Sequence, residues 1–199
     1  MKMALRDLEN DDARKTVNER LAAVDLEFTG EIDVLHLHQV LYDEIGIERL
    51  TEVVTNSIHR RVVTHPGCHL LRPQSLLMVD DAEAPTKLDE LVRALGMEPV
   101  NYMDKTMCCG GSIRAVNRDV SYAILREKMK SIAMVEPDAI VVFCPTCYLS
   151  FKAGQKVVNR MFGTEYNFDV FYYTELLAQA METPTDTSST STRATVAEN

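Results

Sequence analysis

The chain has no segment fit to cross a bilayer. Its longest unbroken apolar run is "AIVVFC" (139–144), far short of the roughly 20 residues that a hydrocarbon core demands. The opening residues, "MKMALRDLENDDARK", turn acidic within ten positions and lack the apolar centre of a secretory signal. A cytoplasmic address without direct membrane insertion is therefore expected. Positive charge is in short supply too: 21 Lys and Arg stand against 30 Asp and Glu, a formal net charge of -9. The densest basic cluster, "HRR" (59–61), is too small for a surface that tracks phosphates, which argues against a nucleic-acid partner. Neither G-x-G-x-x-G nor G-x-x-x-x-G-K-[ST] occurs, so flavin or NAD, if used, belongs to another subunit. Cysteine is scarce as well, at five residues. In a reducing compartment such thiols serve more often as metal ligands or catalysts than as structural disulfides.

What remains is an ordinary globular composition, 46% apolar over 199 residues, enough for one well-packed domain. Residues 1–182 are expected to form it, with a helical lead-in over about 1–58. The Thr/Ser-rich stretch "TPTDTSSTSTRATVAEN" (183–199) has almost nothing to bury and is expected to be a disordered tail. Within the domain, apolar runs alternate with helical patterns. Strands are expected over 31–37, 60–65, 98–103, 138–143 and 168–174, with Pro99 weakening the third. Helices are expected over 11–26, 38–46, 47–58, 85–96, 117–136, 148–163 and 175–182. Gly96 and Gly163 close two of them. Strands alternating with helices predict an α/β fold, a mainly parallel sheet covered by helices on both faces. Every strand then ends on the same edge, where open α/β sheets hold ligands.

The cysteines follow the pattern C-x39-CC-x34-C-x2-C. Cys68 lies three residues past the strand that ends at His65. Cys108 and Cys109 sit in the loop after the 98–103 strand. Cys144 ends the 138–143 strand, and Cys147 starts the next helix. A parallel sheet therefore brings all five to one edge. A structural zinc takes four ligands, usually from two hooks of the CxxC kind, and a cubane iron–sulfur cluster also takes four. Five thiols fit a larger or less regular iron–sulfur assembly, or four ligands plus one reactive thiol, with zinc as the alternative metal. Gly110 and Gly111 let the backbone come close, adopt positive φ and aim amide N–H groups at sulfur. "CPTC" (144–147) leads into a helix whose free N–H groups and positive dipole end face the same place. Both effects favour a more negative, reduced centre.

"HPGCHLLRP" (65–73), "APTKLDELVRALGMEPVNYMDKTMCCGGS" (84–112) and "VVFCPTCYLSF" (141–151) closely resemble the CCG cysteine-rich domain in the C-terminal half of the heterodisulfide reductase B subunit. With "VNERLAAVDLEFTGEIDVLHLHQVL" (17–41), the resemblance covers about residues 12–181. It implies a noncubane [4Fe-4S] cluster held by Cys68, Cys108, Cys109, Cys144 and Cys147, and a protein that reduces or forms a disulfide between two thiols. The family carries two such domains with substrate between them, whereas this chain has one motif. It is similar to the half-length B-type subunits of heterodisulfide-reductase-like complexes, some of which serve sulfur oxidation. The partners implied are an iron–sulfur C-type subunit, a flavin A-type subunit and a second B-type subunit. The substrate implied is a small thiol or disulfide, or a protein-bound thiol.

Other residues divide between site and scaffold. His65 and His69 flank Cys68, and either is placed to give a proton to a substrate thiolate; a hydrogen bond to a loop carbonyl is the competing role. His36 and His38 are taken as structural. Arg72 offsets cluster charge, binds an anionic substrate or simply faces water, and Met107 is a candidate lining residue. Three functions compete: disulfide chemistry at the cluster, an electron relay without substrate chemistry, and a zinc-bound interaction module.

Overall fold

A computed structural model of the chain describes residues 2–181; the Thr/Ser-rich stretch at 183–199 lies outside them. Four strands, β1 (Arg61–His65), β2 (Glu98–Pro99), β3 (Ala139–Val142) and β4 (Asp169–Tyr172), form one all-parallel sheet in the order β2-β1-β3-β4. The helices used below are α1 (Asp11–Leu21), α2 (Ile47–Val53), α3 (Lys87–Ala94), α4 (Arg118–Ala133), α5 (Pro145–Lys152), α6 (Gly154–Phe162) and α7 (Tyr173–Met181). Strand β3 reads Ala-Ile-Val-Val, and every residue in it is buried, as a central parallel strand with both faces covered requires.

Period-two alternation along the strands divides the core in two. Val62, Ala139 and Val141 face Leu50 of α2, Leu88, Leu91 and Leu95 in and beyond α3, and Leu176 and Ala180 of α7. Val63, Ile140, Val142 and Val170 face Leu125, Met129 and Ile132 of α4, Phe151 of α5 and Val158 of α6. The fold is therefore the α/β sandwich expected, with helices on both faces. Helix α4 begins where Asn117 Oδ1 accepts from the Val120 N–H at 3.0 Å, a side-chain cap for an otherwise orphan donor. No helix among the described residues is long and apolar enough to cross a membrane.

Three elements depart from expectation. Residues 31–36 form no strand; after one helical turn at Leu37–Gln39 the chain enters a π-helical turn at Val40–Ile45. The alternating segment joins neither edge of the sheet, and Ile32 and Leu35 stay exposed. Strand β2 stops at Pro99. Glu98 N donates to Arg60 O at 2.9 Å and Val100 N to Val62 O at 2.7 Å, so proline sits at the edge position between donors where its missing N–H costs nothing. The helix expected over 148–163 is two, α5 and α6, meeting at Ala153. Gln155 there uses its amide on both the N–H and the carbonyl of Phe168 (2.8 and 2.9 Å), tying the start of α6 to the chain entering β4.

Candidate metal centre

The carboxyl ends of β1, β2 and β3 share one edge. Past β1, Cys68 opens a single turn of helix, Cys68–Leu71. Past β2, residues 100–107 run as a loop to Cys108 and Cys109, and past β3 Cys144 stands at the N-cap of α5 with Cys147 in its first turn. All five line one cavity of about 230 Å³, together with His36, His69, Ser112 and Thr146. None is in a disulfide. Cys68 and Cys108 sulfurs lie 3.8 Å apart, and those of Cys109 and Cys147 lie 3.4 Å apart. Cys109 and Cys147 form the floor, each 3% exposed, while Cys68, Cys108 and Cys144 are half-buried nearer the mouth.

The two glycines of "CCGG" have different physical reasons. Gly110 takes φ +74°, and a Cβ there would collide with the carbonyl of Ser121. Its N–H donates to Cys108 Sγ at 3.3 Å, and its own carbonyl accepts from Ser121 Oγ at 2.8 Å. Gly111 does not adopt positive φ, contrary to expectation. What it lacks is room: a Cβ would stand 2.5 Å from Thr146 Cγ2 and 2.7 Å from Ser150 Oγ. Glycine thus lets the paired-cysteine loop lie directly on α5.

Crowding dominates the thiol chemistry. The Cys147 thiol, donating to Cys144, draws the latter down to about 6, helped by the N–H groups of Cys147 and Thr146 at the helix start. Between Cys109 and Cys147 one proton is shared. Cys109 is held deprotonated by the Cys147 thiol, with His65 and the Gly111 N–H adding, while Cys147 is pushed far up by Cys109 and Cys144. Burial, then the neighbouring Cys108, pushes Cys68 up to about 11. Five soft sulfur donors around one cavity, with Cys68 and Cys147 pushed up by burial and by neighbouring cysteines, fit a group of thiolate-bound cations.

The histidines separate. His69 is exposed and lines the cavity, whereas His65 is 1% exposed and lies beneath the floor. The His65 ring packs edge-on against Phe151 (5.2 Å), and burial lowers its pKa, with Lys128 adding to the effect. Neither ring nitrogen has a partner at hydrogen-bond geometry, yet a ring nitrogen lies within 4.8 Å of the Cys109 and Cys147 sulfurs. His36 is structural in part, its Nδ1 accepting from His38 N at 3.1 Å, but it also lines the cavity. His38 is fully buried against Phe143 at 5.1 Å. Arg72 turns away from the cavity to the carbonyls of Thr106 and Ala82 and to Glu83. Met107 is not among the lining residues. Its carbonyl instead accepts from Lys128, a buried lysine absent from the candidate residues above, although it falls on the core stripe of α4.

Residues 62–152 match the CCG family, described as a cysteine-rich domain. Over 172 residues the chain is 39% identical to the B subunit of the ferredoxin:CoB-CoM heterodisulfide reductase of Methanosarcina mazei, a match that covers 85% of this chain and 57% of that protein. It is 38% identical over 178 residues to the B subunit of the ferredoxin/F(420)H(2)-dependent CoB-CoM heterodisulfide reductase of Methanosarcina acetivorans, covering 88% and 59%. The chain is a CCG-domain relative of the heterodisulfide reductase B subunit. It spans less than two thirds of the length of those two relatives. The match to the CCG domain begins in β1 and ends with α5, so it contains all five cysteines; α2, α6, β4 and α7 complete the sandwich outside it. A hypothetical protein from Helicobacter pylori shares the fold of this CCG protein at a TM-score of 0.62 and 10% identity, over 91% of this chain and 32% of that one.

Proposed function

We propose that this chain is an iron–sulfur redox subunit of a heterodisulfide-reductase-like assembly, and that Cys68, Cys108, Cys109, Cys144 and Cys147 hold a noncubane [4Fe-4S] cluster. The observation that carries the reading is the meeting of five thiols from three remote segments around one cavity, one donor more than a tetrahedral zinc or a cubane uses. The relatives' names point the same way: parts of enzymes that act on the heterodisulfide of CoB and CoM.

When bound, the cluster supplies or accepts electrons one at a time at a substrate sulfur. The net reaction is R–S–S–R′ plus two electrons and two protons giving RSH and R′SH, or its reverse. The electrons come from or go to an iron–sulfur C-type or flavin A-type subunit, and a second B-type subunit would close the open side of the substrate site. Half-buried Cys68 and exposed His69 stand side by side at the mouth, so His69 is placed to protonate the departing thiolate of a small or protein-bound substrate. Buried His65 has no path to substrate through that mouth, and its single ring N–H is left for a sulfur of the floor. Gly110 holds its N–H on Cys108, which favours the more reduced state.

Oxygen-free purification followed by iron and sulfide analysis tests the assignment. About four of each per chain are expected for a [4Fe-4S] centre. Addition of thiol to the oxidised protein should create a new paramagnetic state by EPR. An unchanged spectrum reduces the role to an electron relay. A zinc reading has one specific support, since His65, Cys109 and Cys147 place three ligand atoms within 4.8 Å of one another. Colourless protein with a single zinc per chain would establish that reading and remove the other two.

A further inference from the structure

Beneath the paired-cysteine loop lies a charge that disulfide chemistry does not use. Lys128 belongs to the stripe of α4 that faces the sheet, with Leu125, Met129 and Ile132, and is 0% exposed. Its Nζ donates to the carbonyl of Asp104 and to those of Lys105 and Met107 at 2.9 and 3.0 Å. The ring of Tyr102 lies 5.0 Å from it. Among the described residues no carboxylate stands within ion-pair distance. An ammonium so placed is costly to desolvate, and an apolar side chain of similar length would fill the space more cheaply. Three carbonyls offset part of that cost. They all belong to the loop that ends in Cys108 and Cys109. Burial draws Lys128 down to about 7, and the nearby Cys109 and Asp104 oppose that shift and favour the charged form.

We infer that Lys128 is the buried counter-ion of the cysteine centre, a positioning residue that fixes the 104–109 loop through its carbonyls and raises the reduction potential of the group the cysteines hold. This deepens the iron–sulfur reading and rests on it. A cation near the centre stabilises whichever state is more negative, which is the reduced one. The three backbone bonds act separately, by holding the loop that carries two of the five donors.

The test is a redox titration of the oxygen-free, iron-loaded full chain, followed by EPR and visible absorption, for wild type, Lys128→Gln, Lys128→Met and Lys128→Arg. Gln keeps donors for the carbonyls without the charge, Met keeps neither, and Arg keeps the charge. The expected result is a more negative midpoint for Gln and Met alike, with Arg close to wild type. A Gln midpoint equal to wild type overturns the inference, as does a shift confined to Met, which would assign the effect to loop packing alone. If neither neutral variant loads iron, loading by Arg supports the charge requirement, and failure of Arg as well overturns it. Wild-type chain without iron would sink the iron–sulfur reading itself, a result separate from any of these.

Discussion

At the scale of single residues, the site is limited by space and charge. Adding one methyl group to Gly110 forces an L-residue into the left-handed region and against the Ser121 carbonyl. Adding one to Gly111 pushes the loop off Thr146 and Ser150. Each Gly→Ala change should cost about 1–2 kcal/mol of stability and reduce the metal retained per chain, because the displaced loop separates Cys109 from Cys147. Urea denaturation and metal analysis check both, and full loading in Gly111→Ala would show that close contact with α5 is not needed. His38 sets a second limit, away from the cysteines. Burial, with smaller contributions from His36 and Lys87 against an opposing one from Asp43, lowers it to about 4 from 6.5. The folded chain therefore keeps His38 neutral where the unfolded chain takes up a proton. Stability from this residue is intact above pH 6.5, falls as pH drops from 6.5 to 4, and levels off below; the total is about 3 kcal/mol. Unfolding free energies at pH 7.5 and 4.5 should differ less in His38→Gln than in wild type, and equal differences would refute this assignment.

At the scale of elements, the loop between β2 and Cys108 is clamped from both faces of the sheet. Helix α4 holds it through Lys128, and α3 holds it through Asp89, whose carboxylate accepts from Lys105 Nζ at 2.5 Å and Thr64 Oγ1 at 2.5 Å. The Asp89–Lys105 side chains are only 17% and 12% exposed, so Asp89→Ala strands a buried cation and should cost about 3 kcal/mol. Asp43→Ala breaks the more exposed pair with Lys87 and should cost less than about 1 kcal/mol. Equal losses in urea denaturation would contradict this ranking. The sequence made the central elements legible because their signals are local: β3 is an apolar β-branched run, and α4 has a capping Asn117 and a continuous core stripe. It misled at 31–37, where alternation looks like a strand but the segment pairs with neither edge of the sheet. It also suggested one helix where Gln155 divides two, because Phe168 lies far along the chain. The edge that gathers the cysteines could be inferred from strand direction alone. The two lysine clamps could not: Lys128, in a helix, reads as solvated until its stripe is compared with those of Leu125 and Ile132, and Lys105, in a loop, finds its partner Asp89 sixteen residues away.

At the scale of the whole molecule, the chain divides into a packed sandwich and three loops that carry the cysteines. The sandwich is held by two apolar cores, of which one lies clear of the cavity and the other reaches it only through Cys109, Cys144 and Cys147, so it should remain folded without metal. The loops are different. Cys68, the 108–109 pair and the 144/147 hook meet only at the cavity, where burial and neighbouring cysteines push the Cys68 and Cys147 thiols up. Cations bound there replace that crowding with bonds between three loops, and binding to the folded state alone raises its stability. Removing the metal should therefore lower Tm and speed hydrogen exchange at 66–71, 104–112 and 143–148, while α4 residues Leu125–Ile132 keep their protection. Exchange by mass spectrometry on loaded and chelator-treated protein reads both regions at once. Uniform loss across loops and α4 would mean that the metal holds the fold itself. No change at the loops would mean that the thiols are set in place by the two clamps before any metal arrives, and that the cavity is preorganised.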